Sequence, residues 1–529
     1  CVVLSCRQPH RAADGFFMYN ESSGITSLDP AFAKNQSNIW AVYQLFNTLV
    51  TSDSNMQIVP SLAKAWEISD DRRSILFHLR TDVHFHDHPV FTGGKGRRMV
   101  ADDVVFSFKR LMDPATASPG AWIFNGRVDT LQPFTAVNDS TFLLKLKAPF
   151  VQMLGVLSNV YCAIVPQEVL KALGTDFRRQ PVGTGPFRFR TWEEGQTLLL
   201  LRNDHYFERD EAGQPLPYLR GVKVSFLDSK ATEFLEFQQG RLHFVNDIDP
   251  SFKDEVLNKR GMLRTEWQNR VVLNKHPYLN IEYLGILLDS SLDRVKASPL
   301  KTRAVRKAIN YGIDRRKMML YLRNSIGVAA ESGFVPMGLP SFNAATVPGY
   351  RYNPEQAKAL LASAGFPGGK GLPPIKLITI PIYADIATYI VRQLEEIGIS
   401  AQVEVVQKSL LLTQTAKSEA LFFRASWIAD YPDAENFFSV FYGKNPAPPN
   451  YTRYRNPVFD QYYEKATREP YDSIRYELYR AMDRMILEDA PIVPLWYDQI
   501  IHLVRPEVSG LRPNALNWLD VRRVRIGLQ

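Results

Sequence analysis

The densest group of titratable side chains in the sequence is His78, His84, His86 and His88 with Asp82 and Asp87. On an extended strand His84, His86 and His88 share a face, a spacing that can present imidazoles to a transition metal. The same alternation suits histidines that are solvated or hydrogen-bonded along a strand edge, and that is the expectation here. Two glycine clusters invite a phosphate-binding reading and both fall short of it. Gly93-Gly94-Lys95-Gly96 lacks the spacing and the Ser/Thr of a phosphate loop, and Arg97-Arg98 after it marks an exposed loop. Gly183-Thr184-Gly185-Pro186-Phe187 has no third glycine, and Pro186 removes an amide that a phosphate cradle needs, so a turn is expected. No nucleophile elbow, paired-histidine zinc helix or Cys-x-x-Cys is present. No catalytic residue, cofactor or metal is therefore expected, and a metal-dependent hydrolase built on His84–His88 is the remote alternative.

The elements that would carry a site alternate between strand and helix. Ile375 to Ile380 is a β-branched run, and the helix that follows, opened by Asp385, sets Ile386, Tyr389, Ile390, Leu394 and Ile397 near one face before Gly398. Ala401, Val403 and Val405 then alternate with Gln402 and Glu404 as a second strand. That βαβ unit predicts parallel strands. Asn353-Pro354 opens a helix ended by Gly365, and Asp102 or Asp103 caps another with Val104, Val105, Phe108, Leu111 and Met112 along one stripe. The fold class is α/β, with loops at Phe366–Pro374 and Gly443–Asn450.

At 529 residues the chain exceeds what one core supports, so two or three lobes are expected. With 45% apolar and 22% charged residues, bulk disorder is excluded. A net charge of +8, spread along the chain, offers no footprint for nucleic acid. Three cysteines, Cys1, Cys6 and Cys162, cannot form a disulfide framework. No run after the first residues approaches the length of a membrane span. Val3-Leu4-Ser5-Cys6 resembles the small-residue-then-cysteine signal of bacterial lipoproteins, with a polar tether from Arg7. Cys6 is the expected lipidation site, with Cys1 the alternative.

Several segments together resemble the extracellular solute-binding proteins of family 5, the oligopeptide, dipeptide and nickel receptors of ABC importers. They are Ser27-Leu28-Asp29-Pro30, Ala65-Trp66-Glu67 with Phe77 to Arg80, Phe85-His86-Asp87, Ala101 to Arg110, Gly183 to Phe187, Val305 to Asn310 with Asp314-Arg315, Leu394 to Ile399, Trp427-Ile428-Ala429-Asp430-Tyr431, and Glu488 to Leu495. The resemblance runs from about residue 15 to the end. It implies a periplasmic-binding-protein-like fold of type II, with two ligand-binding lobes joined by a hinge and an inserted extra α/β lobe. The boundaries expected are 1–14 for the tether; 15–50, 175–272 and 498–529 for lobe I; 51–174 for the insert; and 273–497 for lobe II. Phe91 to Val100 lengthens a turn within the insert.

The resemblance also implies a function: a receptor, not an enzyme, in the periplasm or cell envelope, monomeric, binding short peptides and serving permease subunits with their cytoplasmic ATPases. A peptide receptor must recognise what all peptides share, namely the ammonium, the carboxylate and the backbone. Carried over residue by residue, Asp430 is the ammonium partner, Arg424 a carboxylate partner and Trp427 a pocket wall. Trp122, Tyr278 and Tyr283 are further aromatic walls, and Asn246 lies near a segment that contacts ligand backbone. Lys34 departs from the oligopeptide-binding pattern, which has an acidic residue there; a cation at that point opposes an ammonium and favours an anionic or differently oriented ligand. The alternative is a receptor of the same fold for an oligosaccharide, a nickel chelate or haem.

Overall fold

The computed structural model describes residues 15–527, so Cys1, Cys6 and the expected tether lie outside the described residues. One large mixed sheet runs through the molecule. Its strands lie in the order Ala401–Val405, Ile375–Thr379, Phe422–Ile428, Val272–Ile286, Ile492–Val504, Phe244–Asn246, Phe16–Asn20, Gly221–Ser225, Thr197–Arg202 and Phe187–Glu193, with Val328–Ala329 added to Ile492–Val504. Ile375–Thr379 and Ala401–Val405 pair in parallel, Ile375 opposite Ala401, across the helix Ala384–Glu396. This is the βαβ unit that the periodicity predicts. That helix begins one residue before Asp385, which sits in its first turn.

The two long central strands hold the sheet together. Val272 to Pro277 pairs with Val504 to Gln499, then the register shifts, and Ile281 to Gly285 pairs with Tyr497 to Ile492. On one side of this break the sheet continues into Phe244–Asn246, and on the other into Phe422–Ile428. Both halves of the sheet therefore share the same two strands. At the break the Leu279 amide donates to the Ala515 carbonyl and the Ala429 amide donates to the Leu279 carbonyl. The C-terminal segment that supplies Ala515 continues to Asn517 and Leu519, whose carbonyls accept from Trp40 Nε1 and Gln44 Nε2 of the helix Gln36–Leu45.

A second, antiparallel sheet orders Ala63–Ile68, Ser74–Leu79, Thr141–Lys145 and Phe134–Asn138. The helix Ala101–Met112 packs on it through Val104, Phe108 and Leu111, with Phe108 against Phe124, Phe134 and Phe142. The expectation that Asp102 or Asp103 is the N-cap is corrected: Val100 is the capping position, and Asp103, three residues further in, reaches back to accept from the Val100 amide at 2.9 Å. The helix Pro354–Ser363 starts where the sequence predicts, and Asn353 caps it by accepting from the Gln356 amide.

Most of the motif residues prove to be braces. Arg110 forms a two-pronged pair with Asp29, which also caps the short helix Pro30–Phe32. Arg306 donates to the carbonyls of Leu300, Asp489 and Ala490, and the fully buried Arg315 donates to those of Asn310 and Pro494. Such buried arginines are held by backbone dipoles, with desolvation pushing both down to about 10. Gly183 and Gly185 have no room for a Cβ, because the Leu45 backbone lies against both. The Phe91–Val100 segment is pinned by Arg97, which pairs with Asp103 and Glu168.

Candidate functional site

The strand Phe422–Ile428 pairs antiparallel with Val272–Ile286 over its whole length, Asn280 opposite Ile428 and Ile286 opposite Phe422. On its other side only Phe423 pairs, with Ile378. Beyond that point the two strands diverge, so among the described residues Ala425 to Ile428 have a strand partner on one side only. An edge of this kind presents alternating N–H and C=O groups that an extended chain can pair with. Ile428 on this edge is 49% exposed.

Asp430 lies just past the end of that edge. The residue as a whole is exposed, and its carboxylate forms no ion pair among the described residues. Asn436 Nδ2 donates to its Oδ2 at 3.4 Å, and Asn159 Nδ2 donates to its backbone carbonyl at 3.1 Å. The surrounding protein excludes enough water to push the carboxyl above the usual range; the Asn436 hydrogen bond and the Arg127 charge act against that desolvation. Arg127 lies over the Trp122 ring at 5.6 Å, and Trp122 stacks on Tyr431 at 6.3 Å. Trp122 is thus held against Tyr431, the residue that follows Asp430. Trp427 is half-buried and donates from Nε1 to Asn436 Oδ1 at 2.9 Å.

Arg424 sits at the other end of the strand, roughly 20 Å from Asp430 at the rise of an extended chain. It is not a free cation. Its Nη2 contacts both Glu282 oxygens, at 2.5 and 2.7 Å, and its guanidinium lies 4.2 Å from the centre of the Tyr383 ring. Glu282 is 3% exposed, and burial pushes its carboxyl up despite the neighbouring guanidinium. Arg424 Nε and Asn280 Oδ1 remain buried without a hydrogen-bond partner.

Tyr283 is corrected. It is 2% exposed and packs edge-on to Phe334 at 5.1 Å within an apolar cluster that includes Phe437 and Phe441, so it is core and not a wall. Tyr278, half-buried at the register break, lies within electrostatic reach of Asp498, which pairs with Arg323 and accepts from Asn280. Asn246 is half-buried on its strand, accepting from Lys230 through its carbonyl and from Asn517 through its side chain. Lys34 is exposed between the helices Pro30–Phe32 and Gln36–Leu45 and makes no ion pair among the described residues. No contact among the described residues joins Tyr278, Asn246 or Lys34 to Asp430.

The histidines do not converge. His86 is buried, its Nε2 donating to the Gly185 carbonyl at 2.9 Å and its Nδ1 accepting from the Gly183 amide at 3.3 Å. Desolvation lowers it to about 4 and keeps it neutral. His84 is exposed and pairs through its backbone with Arg98 in an isolated antiparallel bridge, and among the described residues no group of three His, Cys, Asp or Glu side chains could hold a metal. No helix among the described residues is long and apolar enough to cross a membrane. The sequence reading passed over Glu282, Asn436 and Tyr383. Glu282 carried a signal, a lone charge between Ile281 and Tyr283 in an apolar strand; Asn436 and Tyr383 carried none.

The family model for bacterial extracellular solute-binding proteins, family 5 Middle, matches residues 57–449. Heme-binding protein A of Haemophilus influenzae is 27% identical over 518 residues, covering 94% of this chain and 90% of its own length. Probable di/tripeptide-binding protein 5 of Pseudomonas aeruginosa is 28% identical over 509 residues, covering 91% and 90%. Among solved structures, the ABC transporter-associated periplasmic binding protein DppA from Helicobacter pylori in complex with peptide STSA is similar with a TM-score of 0.75 at 25% identity, covering 97% of this chain and 98% of that one. The match extends over most of the chain and agrees with a single mixed sheet shared through two long strands: the chain belongs to the bacterial extracellular solute-binding proteins of family 5.

Proposed function

We propose that this chain is the substrate-binding component of an ABC importer, and that it holds a short peptide in extended form along the free edge of Phe422–Ile428. The observation that carries this reading is an unpaired strand edge ending at a carboxylate with no cation of its own. Backbone pairing along Ala425 to Ile428 gives affinity without reading side chains, and Asp430 receives the ammonium group. Trp427 and Trp122 flank that end. The carboxyl end meets an arginine already held by Glu282, so Arg424 orients the groove and the amino end supplies the main anchor. Tyr278, Asn246 and Lys34 belong to surfaces that reach the ligand only as the cleft closes. The similarity to a probable di/tripeptide-binding protein and to a periplasmic binding protein solved in complex with a peptide supports the same class of ligand.

In this reading one lobe comprises 15–50, 175–272 and 498–529, the other 273–497, and 51–174 is the insert. Their rotation is centred on the register break between Pro277 and Ile281, where ladder pairing is already interrupted. The protein performs no chemistry on its ligand, works as a monomer, and delivers to permease subunits from a lipid anchor at Cys6. Native mass spectrometry of the purified protein tests the ligand class directly. A ladder of peptide masses is the expected result, and a single sugar, chelate or haem mass in its place would retain the fold and remove the peptide.

A further inference from the structure

One buried amide touches both members of the proposed amino-end pocket. Asn436, 4% exposed in the short helix Glu435–Phe438, accepts at Oδ1 from Trp427 Nε1 at 2.9 Å and from the Asp430 amide at 3.3 Å. Its Nδ2 donates to Asp430 Oδ2 at 3.4 Å. Among the described residues Asn436 is the only side chain that hydrogen-bonds the Asp430 carboxylate. The turn that carries it is itself fixed. Asp433 accepts from the Glu435 amide at 2.9 Å and from the Tyr479 hydroxyl at 2.5 Å, while Glu435 accepts from the hydroxyls of Tyr431 and Tyr463. An amide is required at this position, because the indole needs an acceptor and the carboxylate needs a donor. Aspartate lacks the donor, and leucine fills the volume with neither group.

We infer that Asn436 is a positioning residue that fixes the Asp430 carboxylate and the Trp427 indole in one orientation, so that both meet the ligand's amino end as a unit. The inference rests on the proposed ammonium role of Asp430. It goes further in making the pocket a three-residue assembly whose alignment depends on a group that never touches the ligand.

The test measures binding of a free-amino tripeptide by calorimetry across pH 4 to 8, with melting temperatures in parallel, for the full chain and for Asn436→Leu, Asp430→Asn and the double variant. Asn436→Leu is expected to weaken binding by about tenfold, the order set by loss of a hydrogen bond to a charged group. It is also expected to raise the pH at which affinity falls on acidification, since the carboxylate loses its donor. In the Asp430→Asn background the same substitution is expected to cost far less. A melting-temperature change with unaltered affinity and acid midpoint would reduce Asn436 to a structural role, as would the same loss of affinity in both backgrounds. Unchanged affinity in Asp430→Asn alone would instead overturn the ammonium reading. Should the leucine variant not fold, Asn436→Ala serves the same comparison.

Discussion

Replacing Asp430 by asparagine keeps the shape of the side chain while removing its charge. In the peptide reading this deletes one partner of an ion pair formed in a partly desolvated pocket. Two unit charges about 4 Å apart attract by about 4 kcal/mol at an effective dielectric constant of about 20. Desolvation of the ammonium offsets part of that, leaving about 2–4 kcal/mol, or roughly 30- to 1,000-fold in the dissociation constant. Calorimetric titration of Asp430→Asn with a free-amino tripeptide is expected to show that loss, and N-acetylation of the peptide should cause a similar loss in the unaltered protein. The two losses should not add, because each removes the same interaction. Desolvation holds the Asp430 carboxyl above its unfolded value, so in the unliganded protein its charge lowers stability as pH rises through the raised value. Unliganded Asp430→Asn should therefore melt higher than the unaltered protein at pH 7, even as its stabilisation by peptide shrinks. Equal affinity for free and acetylated peptide, or a lower melting temperature in the unliganded variant, would refute the reasoning.

Three further outcomes follow from buried charge. Asp483 is buried, accepts from the Phe334 amide, and is pushed up by burial to about 7. Its unfolded value is lower, so its contribution to stability is present at low pH and is lost between about pH 4 and 7; Asp483→Asn should be up to about 4 kcal/mol more stable at pH 8 by urea unfolding, with the gap closing near pH 4. Arg424→Met should destabilise the fold by about 3–5 kcal/mol by stranding Glu282, and the double variant with Glu282→Gln should recover most of it, as read from denaturant midpoints. His86 is depressed to about 4, so its stabilising contribution is present above about pH 6.5 and fades toward pH 4; His86→Gln should flatten that part of the pH–stability curve measured by thermal melting.

The parts legible in the sequence were those governed by local periodicity. Ile375 to Val405 was read as strand, helix and strand because alternation and the 3.6-residue stripe are short-range properties, and Asn353-Pro354 was read as a helix start because a proline suits the first helical position. Asp430 and Trp122 were named from motif likeness, and what the sequence could not reveal was their mutual setting. Trp427 and Asp430 depend on Asn436, which has no local signature, since its function arises from a turn closed by Tyr463 and Tyr479 far along the chain. The pairing of Arg424 with Glu282 was not legible because Glu282 is 142 residues away. Tyr283 was misjudged because a tyrosine in a strand reads the same whether it faces a cleft or Phe334. The histidine trio failed as a metal site once the two glycines of the Gly183–Phe187 turn claimed His86.

The sharing of Val272–Ile286 and Ile492–Val504 between both halves of the sheet bears on how the chain is made. The first strand, Phe16–Asn20, reaches Ile492–Val504 through Phe244–Asn246, and Trp40 is satisfied only by Asn517, 477 residues downstream. Neither half can complete its core until almost the whole polypeptide is available, so contacts of very long sequence separation must form late and slowly. This places a premium on the final strand: truncating the chain before Ile492 should yield an aggregation-prone product and not a smaller stable domain.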